Sequence, residues 1–141
     1  AKIEGAEVGA VCDKDKARSR MIGEKFSVPN VFSDYRQMLD RDDIDAVIVS
    51  TSNDAHHPVT MATLQAGKHA FVEKPITKTF QEAKELTEEA NRHKLTLMVG
   101  MNNRFRPDTM ILKSFVEKGE LGKLFYAKGG WLKSLSESNP W

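Results

Sequence analysis

Lys74 stands between Glu73 and Pro75 at the end of the apolar run His69-Ala70-Phe71-Val72, which puts a carboxylate, an ammonium and a rigid turn where a buried strand would stop. In a parallel α/β sheet the carboxyl ends of strands are where ligands bind, so charges stationed there are positioned for chemistry. A lysine ammonium can stay charged and orient hydroxyl oxygens. It can also move a proton, if burial or a neighbouring cation suppresses its charge. Glu73 beside it favours the charged form. A salt-bridged surface turn is the plain structural alternative, and the tripeptide alone leaves both open. Pro75 constrains the exit from the strand and is compatible with a cis Lys74-Pro75 bond.

Other polar residues also follow apolar runs. Asp13 ends Val8-Gly9-Ala10-Val11-Cys12. In dinucleotide-binding folds an acidic residue at such a position accepts hydrogen bonds from the adenosine ribose, about 20 residues after a glycine-rich phosphate loop. Only twelve residues precede Asp13, and Gly5 and Gly9 do not form the GxGxxG pattern, so that loop is expected to lie outside these residues. Simple helix capping is the other reading of Asp13. Thr51, Ser52, Asn53 and His56 follow Ile44 to Ser50. Small hydroxyl and amide residues there let a flat ligand approach backbone donors and acceptors, although a strand-to-helix turn capped by Asn53 or Asp54 accounts for them too. Adjacent His56 and His57 point in different directions on a helix and have no third ligand at metal-binding spacing, so no metal site is expected. Arg104, with Asn102 and Phe105, follows the last apolar run at an expected domain boundary. Ligand clefts favour such boundaries, and a structural arginine bridging two domains fits equally well.

The elements that must carry these residues follow from periodicity. Strands are expected at Val8–Cys12, Ile44–Ser50, His69–Val72 and Leu95–Gly100, with a short extended piece at Val31-Phe32. The apolar residues of Ile44–Ser50 run continuously, the pattern of a strand buried on both faces. Helices are expected through Ala17, Met21, Ile22 and Phe26, and through Tyr35, Met38 and Leu39 behind a Ser33-Asp34 cap. A third should run from about His57 to Ala66, stopped by Gly67. The strongest carries Phe80, Ala83, Leu86 and Ala90. Strand and helix alternating at this interval predict βαβ units, a mostly parallel sheet, and helices on both faces. After Gly100 the pattern changes to a helix through Ile111, Leu112, Phe115 and Val116, a turn at Gly119 to Gly122, and a new strand from Leu124 to Ala127, with Gly129-Gly130-Trp131 leading into polar residues. This divides the chain into residues 1–103, a partial dinucleotide-binding domain, and 104–141, the beginning of a second one.

The 141 residues carry 21 Lys and Arg against 20 Asp and Glu, interspersed rather than blocked, so neither a nucleic-acid surface nor a polybasic membrane anchor is expected. The single cysteine, Cys12, cannot form an internal disulfide and reads as a small strand residue. No apolar stretch approaches the roughly 18 residues that span a bilayer. A soluble, cytoplasmic protein is the expectation.

Taken in order, these segments resemble the glucose-fructose oxidoreductase and inositol dehydrogenase family, Gfo/Idh/MocA. The resemblance is carried by Val8-Gly9-Ala10-Val11-Cys12-Asp13, by Asp45 to His56, by Ala66 to Pro75, by Val99 to Pro107 and by Gly119-Glu120-Leu121-Gly122-Lys123. It implies an α/β Rossmann-like, doubly wound parallel sheet, here lacking its first strand and Gly-rich loop, plus the start of a C-terminal α+β domain. It implies NAD as cofactor, with NADP possible through Lys14 and Arg18, and hydride transfer to or from a sugar, inositol or related polyol. Asp13 would bind the adenosine ribose, and Thr51, Asn53 and His56 would line the cofactor. Glu73 and Lys74 would lie near the nicotinamide ribose, with Lys74 also acting on substrate, and Arg104 would approach the nicotinamide end. Ser52 stands where many relatives have proline. The resemblance also implies a homo-oligomer through the C-terminal domain and downstream Asp and His residues beyond Trp141, which makes these residues part of a longer enzyme. A dinucleotide-binding regulator of the same fold, and a piece inactive by itself, are the alternatives.

Overall fold

Polar side chains decide where three of the helices begin. In the computed structural model, which describes residues 3–130, Asp15 accepts hydrogen bonds from the Ala17 and Arg18 N–H groups and opens α1 (Lys16–Phe26) behind β1 (Ala10–Cys12). Asp34 accepts from the Arg36 N–H and opens α2 (Tyr35–Leu39), which follows β2 (Asn30–Phe32). These side chains satisfy donors that a helix start would otherwise leave free. After β3 (Ala46–Val49) comes α3 (Asn53–Gln65), whose N-cap, Ser52, makes no side-chain capping bond. This helix starts earlier than expected and carries Pro58 within it. It ends at Gly67, whose φ of +76° is a conformation that costs a residue without Cβ little. β4 (His69–Val72) leads to α4 (Phe80–His93), which has a reciprocal capping box: Thr79 accepts from the Glu82 N–H while Glu82 accepts from the Thr79 N–H. β5 (Leu97–Val99) closes the series.

The strands form two parallel sheets, β1-β2 and β3-β4-β5. In the larger one Val47, Ala70 and Leu97 lie in one row, and Val49, Val72 and Val99 in another. Met38, Leu39, Leu64, Leu86 and Ala90 are the buried residues that helices α2, α3 and α4 bring to this core. Leu64, Val72 and Leu86 are completely buried, each contributing roughly 1.5–3 kcal/mol relative to exposure. Helix α1 takes the opposite face of the small sheet. It approaches so closely at Gly23 that an added Cβ would stand 2.4 Å from the Val31 side chain. Helices thus cover both faces of the small sheet, but against expectation α2, α3 and α4 cover only the Val47 and Val49 face of the larger one, and strand β3 does not have both of its faces buried. Val47 and Val49 are buried, whereas Ile48 is 73% exposed and aligns with Phe71 and Met98 in the opposite row. A continuous apolar run permits burial on two sides, while the elements packed against it decide whether both are used.

Strands β1 and β3 are not paired to each other. Their neighbouring edges border a cavity of about 590 Å³, lined by Val11, Cys12 and Asp13 from one sheet and by Val47, Ile48 and Val49 from the other. In the doubly wound strand order one further strand lies between two such edges.

The chain divides into two compact units, residues 1–101 and 102–141. The second contains a 3₁₀ turn (Asn102–Phe105) and α5 (Pro107–Glu117), whose first residue is a proline, favourable at that position. Gly119 and Gly122 form the expected turn with φ of +72° and +63°. The strand expected at Leu124 to Ala127 is absent: 124–130 carry no regular structure. A strand exists by pairing, and this segment has no ladder partner among the described residues. Trp131 and the polar residues after it lie outside the described residues. No helix among the described residues is long and apolar enough to cross a membrane.

Candidate cofactor and substrate site

Parallel strands in register bring their carboxyl ends to one edge of a sheet. Backbone bonds carry this alignment one residue past the strands: the Glu73 N–H donates to the Val49 carbonyl at 2.9 Å, the Gly100 N–H to the Val72 carbonyl at 2.8 Å, and the Asp13 N–H to the Phe32 carbonyl at 3.3 Å. Glu73 is thereby fixed beside the exit of β3 and Gly100 beside that of β4, on the edge where Ser50 to Asn53 emerge. Asp13 holds the equivalent position in the small sheet and lines the cavity shared with Ser50, Thr51 and Ser52.

Asp13 is half-buried, its side chain 27% exposed. Oδ1 accepts from the Asp15 N–H at 2.9 Å, and Oδ2 faces the Arg18 guanidinium at 3.4 Å. The helix cap is Asp15, so capping does not account for Asp13. A carboxylate offers about four lone-pair directions, and two contacts leave acceptor capacity for ribose hydroxyls. Cys12, next to it, has its thiol pushed up by burial and then by the Asp34 and Asp13 carboxylates.

Thr51 is exposed, and its hydroxyl donates to the Ser52 carbonyl at 3.3 Å. Asn53, also exposed, is the first residue of α3. Because no side chain caps this helix, the Asn53 and Asp54 N–H donors are available to water or a ligand, while the Ala55 N–H donates to the Ser52 carbonyl at 2.8 Å. His56 departs from expectation. It is 1% exposed, with Nδ1 2.6 Å from the Pro75 carbonyl oxygen and Nε2 3.2 Å from that of Thr51. Its ring cannot line a ligand cleft directly, because the first turn of α3 points it inward. Its neighbour His57 instead reaches Glu85 of α4 at 3.2 Å, so the two histidines face different partners.

At the exit of β4 the charges of Glu73 and Lys74 diverge. The Glu73 carboxylate accepts from the Lys74 backbone N–H at 3.1 Å and lies against Gly100, where an added Cβ would stand 3.0 Å from Oε1. Lys74 is exposed, and its ammonium has no ion-pair or hydrogen-bond partner among the described residues, so the salt-bridged turn is not formed. The Lys74-Pro75 bond is cis. Gly100 and the Pro75 carbonyl were not singled out by sequence reasoning. A glycine directly after a strand was the available signal for the first, and nothing local signals the second. Arg104 is exposed on the 3₁₀ turn of the second unit.

A parallel α/β sheet with an acidic residue, a free lysine and an uncapped helix start at strand carboxyl ends defines a dinucleotide-binding class of protein. Residues 1–101 match the GFO_IDH_MocA family, described as an oxidoreductase family with an NAD-binding Rossmann fold, and the chain belongs to that family. Among curated relatives, glycosyl hydrolase family 109 protein 1 of Shewanella sp. (strain MR-4) is 32% identical over 94% of this chain and 31% of its own length. The α-N-acetylgalactosaminidase of Shewanella oneidensis matches with the same identity and the same coverage. Among solved structures, a probable dehydrogenase from Thermotoga maritima is 31% identical with a TM-score of 0.80, covering 84% of this chain and 36% of that one. The scyllo-inositol dehydrogenase of Lactobacillus casei, with bound NAD(H) and scyllo-inositol, is 29% identical with a TM-score of 0.80, covering 86% and 36%. The chain spans about a third of the length of the curated relatives it matches.

Proposed function

We propose that these residues form part of an enzyme that transfers a hydride between the nicotinamide of NAD and a hydroxyl or carbonyl carbon of a sugar, inositol or related polyol. The observation that carries this reading is the exposed Lys74 ammonium at the exit of β4, without a partner among the described residues, in a family that binds NAD. The structural neighbour solved with NAD(H) and scyllo-inositol supports the substrate class. NAD, when bound, supplies the hydride acceptor. The Lys74 ammonium orients the substrate oxygen and stabilises the negative charge that grows on it as the hydride leaves, the hydroxyl proton passing to solvent. Asp13 accepts the adenosine ribose hydroxyls and repels a 2′-phosphate, while Lys14 and Arg18 provide the positive charge that would extend use to NADP. Thr51, Asn53, Glu73 and Arg104 contribute cofactor contacts, and His56 contributes through the carbonyls it meets. Residues 104–141 begin a domain that carries substrate contacts and a homo-oligomer interface.

The test is the full-length enzyme screened against sugars and inositols by NADH absorbance, with Lys74→Ala beside it. Loss of a donor aimed at the charge that develops in the transition state lowers turnover by about 10²–10³-fold, with NAD affinity retained. Unchanged turnover in that variant defeats the reading of Lys74.

The 32% identity to proteins named as glycosidases favours a second reading, in which the hydride is only borrowed. Withdrawing a hydride from a sugar carbon makes a carbonyl that acidifies the adjacent C–H. Loss of that proton expels the glycosidic oxygen as the alcohol and leaves a double bond, to which water adds before the hydride returns to the carbonyl. NAD-dependent release of nitrophenol from an aryl α-N-acetylgalactosaminide without net NADH accumulation is the outcome that selects it.

A further inference from the structure

We propose that His56 is a positioning residue, a buried strut on α3 that holds the Pro75 carbonyl at the β4 exit and thereby the location of Lys74. The inference rests on the reading of Lys74 as the group at the reacting end. Nδ1 contacts the Pro75 carbonyl oxygen at 2.6 Å, and Nε2 faces the Thr51 carbonyl oxygen at 3.2 Å. Both oxygens can only accept, and the shorter contact assigns the donating N–H to Nδ1, so Pro75 is the carbonyl that His56 holds, while Nε2 packs against that of Thr51 without a bond. The ring is rigid and 1% exposed, so water does not compete for either carbonyl.

The Lys74 backbone is consequently restrained on both sides. Its own N–H is taken by the Glu73 carboxylate at 3.1 Å, and the next carbonyl along the chain is taken by His56. Immediately beyond, Ile76 packs into the core and the Thr77 hydroxyl donates to the Thr79 carbonyl at 2.8 Å. Among the described residues the Lys74 ammonium has no partner. A reacting group with a fixed base and a free tip suits orientation of a substrate hydroxyl, and displacement of such a group by about 1 Å can cost about 10²-fold in rate.

The strut can be tested in the full-length enzyme. An Asn amide nitrogen falls near the position of Nδ1, and a Gln amide nitrogen near that of Nε2. His56→Asn therefore keeps the donor to Pro75, and His56→Gln moves it away. With NAD and the polyol oxidised fastest in the screen, His56→Gln should lower kcat by up to about 10²-fold while leaving the KM for NAD near that of the parent. His56→Asn should retain kcat. Equal kcat in the parent and His56→Gln overturns the proposal, as does an equal kcat loss in both variants. If a variant does not fold, nitrogen-15 spectra of the unsubstituted enzyme decide. A protonated Nδ1 coupled to the Pro75 carbonyl supports the strut, and a bare Nδ1 overturns it. Full activity in Lys74→Ala would instead defeat the functional reading, leaving the spectra to report on the strut alone.

Discussion

Gly100 shows how a residue with no side chain can shape a charged site. Its α-carbon forms the surface against which the Glu73 carboxylate rests, and a methyl group there would come within 3.0 Å of Oε1. Gly100→Ala therefore pushes the carboxylate aside and releases the Lys74 N–H. We expect weaker NAD binding by calorimetric titration together with a small fall in melting temperature. At Cys12, burial, Asp34 and Asp13 all raise the thiol above its ordinary range, so less thiolate exists at neutral pH. Alkylation by iodoacetamide should be slower than for a free thiol at pH 7.5 and should climb steeply only in alkaline solution. Asp13→Asn should accelerate it.

At the scale of elements, α4 supports the β4 and β5 exits by burying Leu86 and Ala90 against Ala70. Its start depends on Thr79 and Glu82. Thr79→Ala removes the cap and should cost about 1 kcal/mol in urea unfolding. Burial acts to raise the Glu82 carboxyl, but the Thr79 hydroxyl and the Thr79 and Lys78 N–H groups outweigh it and hold the group below the usual carboxylate range. A depressed folded value means that this contribution is complete above the unfolded value and is lost as pH falls through the depressed one. Stability should therefore decline on acidification, less so in Glu82→Gln. Most of this element was legible, since Phe80, Ala83, Leu86 and Ala90 recur at helical spacing, but its Thr79–Glu82 capping box was not read. The inward turn of His56 was not legible, because residues at the start of a helix show their facing only once the helix's first residue is known. That start was displaced from the expected His57 to Asn53.

At the scale of the molecule, the unpaired edges of β1 and β3 border a single cavity that includes the Asp13 and Thr51 ends of the candidate site. Backbone groups on such edges are costly to bury without partners. Residues 1–141 alone should therefore bind NAD weakly and unfold at low denaturant, while any longer chain that seats a strand between the two edges should bind tightly. Calorimetry on both chains measures the difference. Tight binding by residues 1–141 alone would remove the requirement for that strand.

The amino-acid sequence by itself determined the alternation of strand and helix, the polar residues that end each strand and the family to which they belong. These are local properties, carried by apolar spacing, caps and motifs within a few residues of one another. Only the tertiary structure decided that Glu73 turns to the Lys74 backbone rather than its ammonium, that His56 faces two carbonyls, and that Ile48 is left exposed. Those outcomes depend on contacts between segments separated along the chain, where packing geometry selects among partners that the sequence leaves equally available.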